Sequence, residues 1–258
     1  MAILYNKKEV IYLIKYINKF SPQKDAKIIV YGVKEGIEIN EISGPIEDLK
    51  AKKEIADFGE VTLFYPKKDF AAPKLVFIGL GDKEKYILDD IQNIAAKAAK
   101  EINADTVIHL DSFSALSEDI NLLAEKFVET IKLVNYKFEK YKTEGKPVEQ
   151  HLIELFSNLD VENAVISGNI YADSTNHARD LVNEPRNKMT PSILATYATN
   201  FAKEINAECK IYNKKEIQEL GMGAFLAVNQ GSAEEAKLIH IRYRNSEDSQ
   251  ITALIGKG

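Results

Sequence analysis

Asn176-His177-Ala178-Arg179-Asp180-Leu181-Val182-Asn183-Glu184-Pro185, followed by Thr190-Pro191, is the stretch on which the reading of the fold turns. The residue before a proline is pushed away from helical backbone, so Asn183-Glu184-Pro185-Arg186-Asn187 ends any helix that precedes it. Thr190 then offers an N-cap hydroxyl and Pro191 a ring suited to the first helical position, which opens a new helix reaching about Ile205. One helix stops and another starts across a proline-bearing break. The domain boundary is placed here.

Upstream, a long helix is expected over about 160–183, carrying Val161, Ala164, Val165, Gly168, Ala172 and His177. At the other end of the chain, Asn6 reads as an N-cap. Val10, Leu13, Ile14 and Ile17 follow at i, i+3, i+4 and i+7, predicting a first helix that Ser21-Pro22 ends. Residues 27–33, 61–65, 75–78, 106–110 and 152–156 read as strands. Helical spacing returns with Ile87, Ile91, Ile94, Ala95 and Ala98, and again with Leu122, Leu123, Phe127, Ile131 and Val134. This alternation predicts an α/β domain over residues 1–159 with a largely parallel or mixed sheet. Residues 160–187 form the interdomain helix and junction. A second unit over 188–258 holds a strand at 209–212, a short helix at 214–220, and strands at 238–243 and 251–255. It has few elements, and it is expected to belong to a larger sheet that continues past Gly258.

The bulk properties narrow the class. Of 258 residues, 45% are hydrophobic and 28% charged, a soluble globular composition. The net charge of −5 argues against a general nucleic-acid surface. A single cysteine, Cys209, excludes an intrachain disulfide framework and a cysteine-built zinc site, and suits a reducing compartment. The N-terminal residues show no apolar run of a signal peptide, and no stretch approaches the ~20 apolar residues of a membrane helix. The chain is expected to be cytoplasmic.

Candidate chemistry is sparse. Gly256-Lys257-Gly258 follows the strand-like run 251–255, and glycines on both sides let the backbone approach a ligand closely. Ligands collect at strand ends in α/β sheets, and a lysine can bind a metal as the neutral amine beside a dication. Read alone, Lys257 is a solvated lysine. The run Asn176–Pro185 holds one histidine and lacks the paired spacing of a zinc helix, so its residues are expected to cap and pin the end of the interdomain helix. Gly79-Leu80-Gly81-Asp82-Lys83-Glu84 resembles a phosphate-binding turn, but Glu84 stands where a third glycine is needed, and a tight strand exit is expected. Gly221-Met222-Gly223-Ala224 and Gln230-Gly231-Ser232 read as glycine-bearing loops. No Gly-x-Ser-x-Gly elbow exists, and Ser232 receives no catalytic role. His109, His151 and His240 read as packed or edge histidines, and Cys209 as a small buried residue. Tyr136, Phe138 and Tyr141 interleave with lysines over 137–146, diluted by Glu139 and Glu144; a solvated helix end and loop is expected.

The succession Asn176–Pro185, Thr190-Pro191, Gly221–Ala224, Asn229-Gln230-Gly231-Ser232-Ala233 and Gly256-Lys257-Gly258 resembles the leucyl (cytosol) aminopeptidases, two-metal exopeptidases. The resemblance is densest over 170–258 and runs more loosely through 75–81, 95–99 and 138–143. It implies a macro-like N-terminal domain, a linker helix and the start of an α/β peptidase domain. It also implies release of N-terminal residues, often leucine, from peptides by two divalent cations, zinc or manganese, that activate a water. Lys257 matches the family's metal-ligating lysine. The carboxylate ligands, a second lysine and an arginine lie beyond Gly258 in the family pattern. On this reading the parent protein is a homohexameric metalloaminopeptidase. The 258-residue chain itself is expected to be truncated and inactive, and to bind no metal stably. The alternative is a non-catalytic assembly or binding module, with DNA or an ADP-ribose-like molecule as ligand.

Overall fold

The computed structural model describes residues 11–20, 26–34, 56–66, 72–143, 150–244 and 250–257. By its internal contacts the chain divides into residues Met1–Asp180 and Leu181–Gly258.

The first unit is organised on a sheet of six strands: β1 (Ile11–Ile17), β2 (Ile28–Val33), β3 (Val61–Phe64), β4 (Lys74–Gly79), β5 (Thr106–His109) and β6 (Gln150–Phe156). Their order is β1-β6-β5-β2-β4-β3. Every neighbouring pair is parallel except β3, which runs antiparallel to β4. The sheet is therefore mixed, as the alternating pattern predicted. Strands β2, β4 and β5 are buried on both faces, and β2 and β4 are correspondingly rich in apolar residues. Ile28, Val30, Val76, Ile78, Ile108, Ile153 and Leu155 point to the larger core, while Ile29, Tyr31, Leu75, Phe77, Val107 and Phe156 form a second cluster. The larger core is completed by α1 (Leu88–Glu101), a 3-10 helix (Leu110–Leu116), α2 (Ile120–Val134) and the first turns of α3 (Glu162–Asn183).

The segment expected as the first helix is instead strand β1. Its apparent helical spacing is real, but Ile11-Tyr12-Leu13-Ile14-Lys15-Tyr16-Ile17 is also rich in β-branched and aromatic residues, which fit a pleated surface. Alternation decides the outcome. Ile14 is buried, with Tyr12 and Tyr16 packed on the same core, whereas Leu13 is 53% exposed. Lys15 lies opposite Glu154 of β6 and pairs with it at 2.8 Å. The pairing partner is remote in sequence, so a local window cannot register it. Asn6, Val10 and Ser21-Pro22 lie outside the described residues.

The second unit contains α4 (Pro191–Glu204), β7 (Glu208–Tyr212), α5 (Lys214–Glu219), α6 (Gly223–Asn229) and β8 (Leu238–Arg242). Thr190 caps α4 as expected, its Oγ1 accepting from the Ile193 N–H at 3.3 Å. β7 and β8 pair antiparallel, with Lys210 opposite His240. Two expectations fail here. Gly223 and Ala224, read as part of a glycine-bearing loop, instead open α6: Gly221 takes the left-handed turn (φ 72°), and Ala-Phe-Leu-Ala then favours helix. The expected strand at 251–255 is not formed, and Ile251, Leu254 and Ile255 are 83%, 95% and 97% exposed. Apolar sequence alone does not make a strand; a ladder partner does.

Helix α3 follows the expected span and crosses α2 at very close range. A Cβ added to Gly168 would lie 2.6 Å from the Glu125 carbonyl oxygen and 2.9 Å from Val128 Cβ. Gly168→Ala is expected to destabilise the chain by about 1–3 kcal/mol through overpacking, read as a lower urea midpoint. An unchanged midpoint would mean the two helices separate freely.

Candidate functional site

The carboxyl edge of a parallel sheet is the usual place for a ligand, and a phosphate site there needs free backbone N–H groups. At the end of β4 those groups are already engaged. The N–H of Gly79 donates to Glu60 O (2.9 Å), that of Leu80 to Val33 O (2.9 Å), and that of Gly81 to Ala56 O (2.7 Å). The Tyr86 hydroxyl donates to Gly81 O at 3.0 Å. Gly81 sits at φ 70°, and a Cβ there would meet Phe58 Cβ at 2.8 Å. The sequence Gly79-Leu80-Gly81 is thus a strand exit locked against the loop at 56–60. Behind it, Asp90 accepts from Lys83 Nζ at 2.6 Å and from the Ile87 N–H at 3.0 Å, anchoring the start of α1. The Lys83 hydrogen bond, then the Ile87 N–H, holds the Asp90 carboxyl below its ordinary value despite partial burial. The stabilisation is therefore present above the unfolded aspartate value of about 3.9 and is lost as pH falls through the lowered folded value.

The neighbouring strand ends are braced in the same way. Ser112 Oγ donates to His109 O (2.6 Å) and accepts from the Gly32 N–H (2.8 Å). Asp111 after β5 accepts from Ser157 Oγ (2.6 Å), the Asn158 N–H (2.9 Å) and Asn158 Nδ2 (2.8 Å) after β6. This brace went unread in the sequence, where Asp111, Ser157 and Asn158 lie far apart. The one available signal was that polar residues follow each strand directly.

The three histidines of the first unit do not converge. His109 is buried among Phe20, Tyr31 and Phe156, with ring centroids 5.3, 5.3 and 4.9 Å away. His151 lies at the opposite end of β6 beside Tyr12. His177 is exposed on α3, and His240 is exposed on β8.

The signature at 176–185 has a different geometry from the one expected. Asn176 and Arg179 do cap a helix end, but it is the end of α2, not of α3. Asn176 Nδ2 donates to Lys132 O at 3.3 Å, and Arg179 Nη1 donates to Leu133 O at 3.0 Å and to Asn176 Oδ1 at 3.1 Å. Cationic and amide donors suit these orphan carbonyls and the negative end of the α2 dipole. The Tyr136 hydroxyl donates to Asp180 at 2.8 Å, and the Arg179 guanidinium lies 5.4 Å from the Tyr136 ring centroid. Pro185 O accepts from the Lys188 and Met189 N–H groups (2.7 and 3.0 Å), closing the turn after α3. None of these groups is arranged for acid–base or metal chemistry.

In the second unit Ser232 is a turn residue: its Oγ accepts from the Glu234 N–H at 3.1 Å. Cys209 Sγ faces Thr199 Oγ1 at 3.9 Å. Lys257 is exposed, in a stretch (250–257) without regular secondary structure. Among the described residues there is no group of three or more His, Cys, Asp or Glu side chains placed to hold a metal. An amine supplies one donor, whereas a pair of divalent cations needs several oxygen ligands. The described residues therefore do not fit a two-metal centre by themselves.

Two family sequence models match the chain. Residues 18–145 match "Cytosol aminopeptidase family, N-terminal domain", and residues 176–258 match "Cytosol aminopeptidase family, catalytic domain". A probable cytosol aminopeptidase of Persephonella marina is 35% identical over 231 residues, covering 84% of this chain and 46% of that protein. One from Aquifex aeolicus is 34% identical over 218 residues, covering 83% and 42%. The chain thus spans about half the length of the curated relatives it matches. Among solved structures, the bottromycin maturation enzyme BotP in complex with Mn shares the fold with a TM-score of 0.68 at 22% identity, over 85% of this chain and 45% of that one.

The engaged turn makes two measurable statements. Gly81→Ala is expected to cost about 1–3 kcal/mol, since it combines left-handed backbone with a steric clash. ADP-ribose at millimolar concentration is expected to leave the melting temperature of the unsubstituted chain unchanged. A rise of several degrees would show that the turn opens to a phosphate.

Proposed function

The chain belongs to the cytosol aminopeptidase family, and from that premise we propose that it is the amino-terminal portion of a two-metal aminopeptidase. It would comprise the N-terminal domain (1–159), the interdomain helix and junction (160–187) and the opening of the catalytic domain (188–258). The complete enzyme would release N-terminal residues, often leucine, from peptides in the cytoplasm as a homohexamer. No helix among the described residues is long and apolar enough to cross a membrane. The observation that carries the reading is the catalytic-domain match over 176–258, a stretch that includes Gly256-Lys257-Gly258.

Lys257 is assigned as one ligand to a pair of divalent cations, zinc or manganese. Such cations would polarise the scissile carbonyl and lower the pKa of a bound water. Lys257 would take part through its side-chain nitrogen. The remaining ligands are not assigned to any residue of this chain, and the 258 residues alone are proposed to be inactive. The binding-module alternative draws no support from the glycine turn, whose N–H groups are engaged, nor from the acidic net charge.

The test uses two proteins. The 258-residue chain supplied with manganese or zinc is expected to leave a leucine anilide intact. Joined to the remaining catalytic segment of the Persephonella marina relative, it is expected to hydrolyse the anilide in a metal-dependent manner. Lys257→Ala should lower that rate on the order of 100-fold or more. A folded, metal-loaded chimera without activity would sink the peptidase reading. Lys257-dependent hydrolysis by the isolated chain would overturn the proposed inactivity.

A further inference from the structure

We propose that Arg179 is the bolt of a latch that sets how far the cooperative fold of the first unit extends along α3. The early turns of α3 are held by burial: Val161, Ala164, Val165 and Gly168 are inside. After Gly168, Ala172 is the only buried residue of the helix. Beyond the Asn169 bond to Ile14 O and the Lys126–Tyr171 contact, the later turns make polar contacts with the end of α2 and the residues just after it. Lys132 Nζ reaches Asn169 Oδ1 at 3.1 Å and Asp173 at 2.6 Å. Asn176 and Arg179 take the Lys132 and Leu133 carbonyls, and Asp180 takes the Tyr136 hydroxyl. Residues 169, 173, 176 and 180 recur at helical spacing, so one face of α3 carries the whole set.

Segments with few buried apolar contacts open locally, independently of the core. Each neutral hydrogen bond contributes little net stability, and one from a charged donor contributes more. Lys132 on Asp173 and Arg179 on the Leu133 carbonyl are the charged ties between the two helices, and Arg179 is the one that also braces Asn176 and the Tyr136 ring. Releasing it frees the last turns of α3 and the junction after it, while the sheet stays intact. The latch therefore decides whether the chain leaves the first unit as a fixed helix or as a frayed one.

Hydrogen exchange followed by mass spectrometry on the whole 258-residue chain tests this. In Arg179→Met, peptides covering 174–183 and 131–136 are expected to exchange on the order of tenfold faster, with peptides from β2, β4 and β5 unchanged. Tryptic cleavage at the exposed Arg186 and Lys188 should accelerate in parallel. If Arg179→Met does not fold, Tyr136→Phe carries the test, since it removes the hydroxyl that bonds Asp180 and keeps the ring. A several-fold acceleration confined to the same peptides is expected there. Unchanged exchange over 174–183, or equal acceleration across the sheet peptides, would overturn the latch.

Discussion

At Gly168 the backbone of α3 runs against that of α2 with no room for even a methyl group, and this close crossing fixes the register between the two helices. Because interhelical contacts depend on facing positions one turn apart, a helix pinned at one point has its later positions determined. Asn169 and Asp173 then face Lys132, and Asn176 and Arg179 meet the α2 carbonyls. The same crossing places Asn169 Nδ2 within 3.3 Å of Ile14 O, which ties α3 to the edge strand β1. A larger residue at 168 would displace every one of these partners together, since protein interiors transmit strain instead of absorbing it.

The two units are built on different terms. The first has a central sheet buried on both faces, with large side chains such as Tyr31, Phe77, Phe113 and Phe127 fully enclosed. In the second, the buried hydrophobic residues among those described are Ala195, Ala198, Ala202, Ile217 and Ala236. Since hydrophobic stabilisation scales with the apolar area removed from water, a core made mostly of alanines contributes little. Its sheet is a two-stranded ribbon, an arrangement that is marginal in water without further packing. Local devices matter more there: the Thr190 cap, the reciprocal Asn213–Glu216 box that starts α5, and Glu235 accepting from the Lys214 N–H and Lys237 Nζ.

The sequence made the alternation of strands and helices legible because β2, β4, β5, α1, α2 and α3 each declare themselves within a dozen residues. Where it misled, the deciding partner was remote. β1 carries a helical spacing that its pairing with β6 overrides, and 251–255 carries a strand composition without a described strand to pair with. Gly221 concealed α6, because a glycine that ends one turn looks the same in sequence as one that sustains a loop. The junction signature was recognisable as structural, yet its target was not. Nothing local announces that Asn176 and Arg179 cap a helix ending some forty residues earlier.

The candidate site shows the same limit in sharper form. A turn such as Gly79-Leu80-Gly81 advertises backbone donors, but the sequence cannot say whether those donors are free. Here Glu60, Val33 and Ala56 accept all three, so the feature that suggested a ligand is the one that closes the strand end. Lys257 is the opposite case. Among the described residues no group of side chains is placed to hold a metal, and its candidacy rests on the order of motifs that precede it. A lysine becomes a metal ligand only where neighbouring carboxylates have already gathered the cations, because a lone amine near neutral pH keeps its proton. The role proposed for it would therefore be set by groups other than itself, and the proposal is readable only from the pattern to which Lys257 belongs.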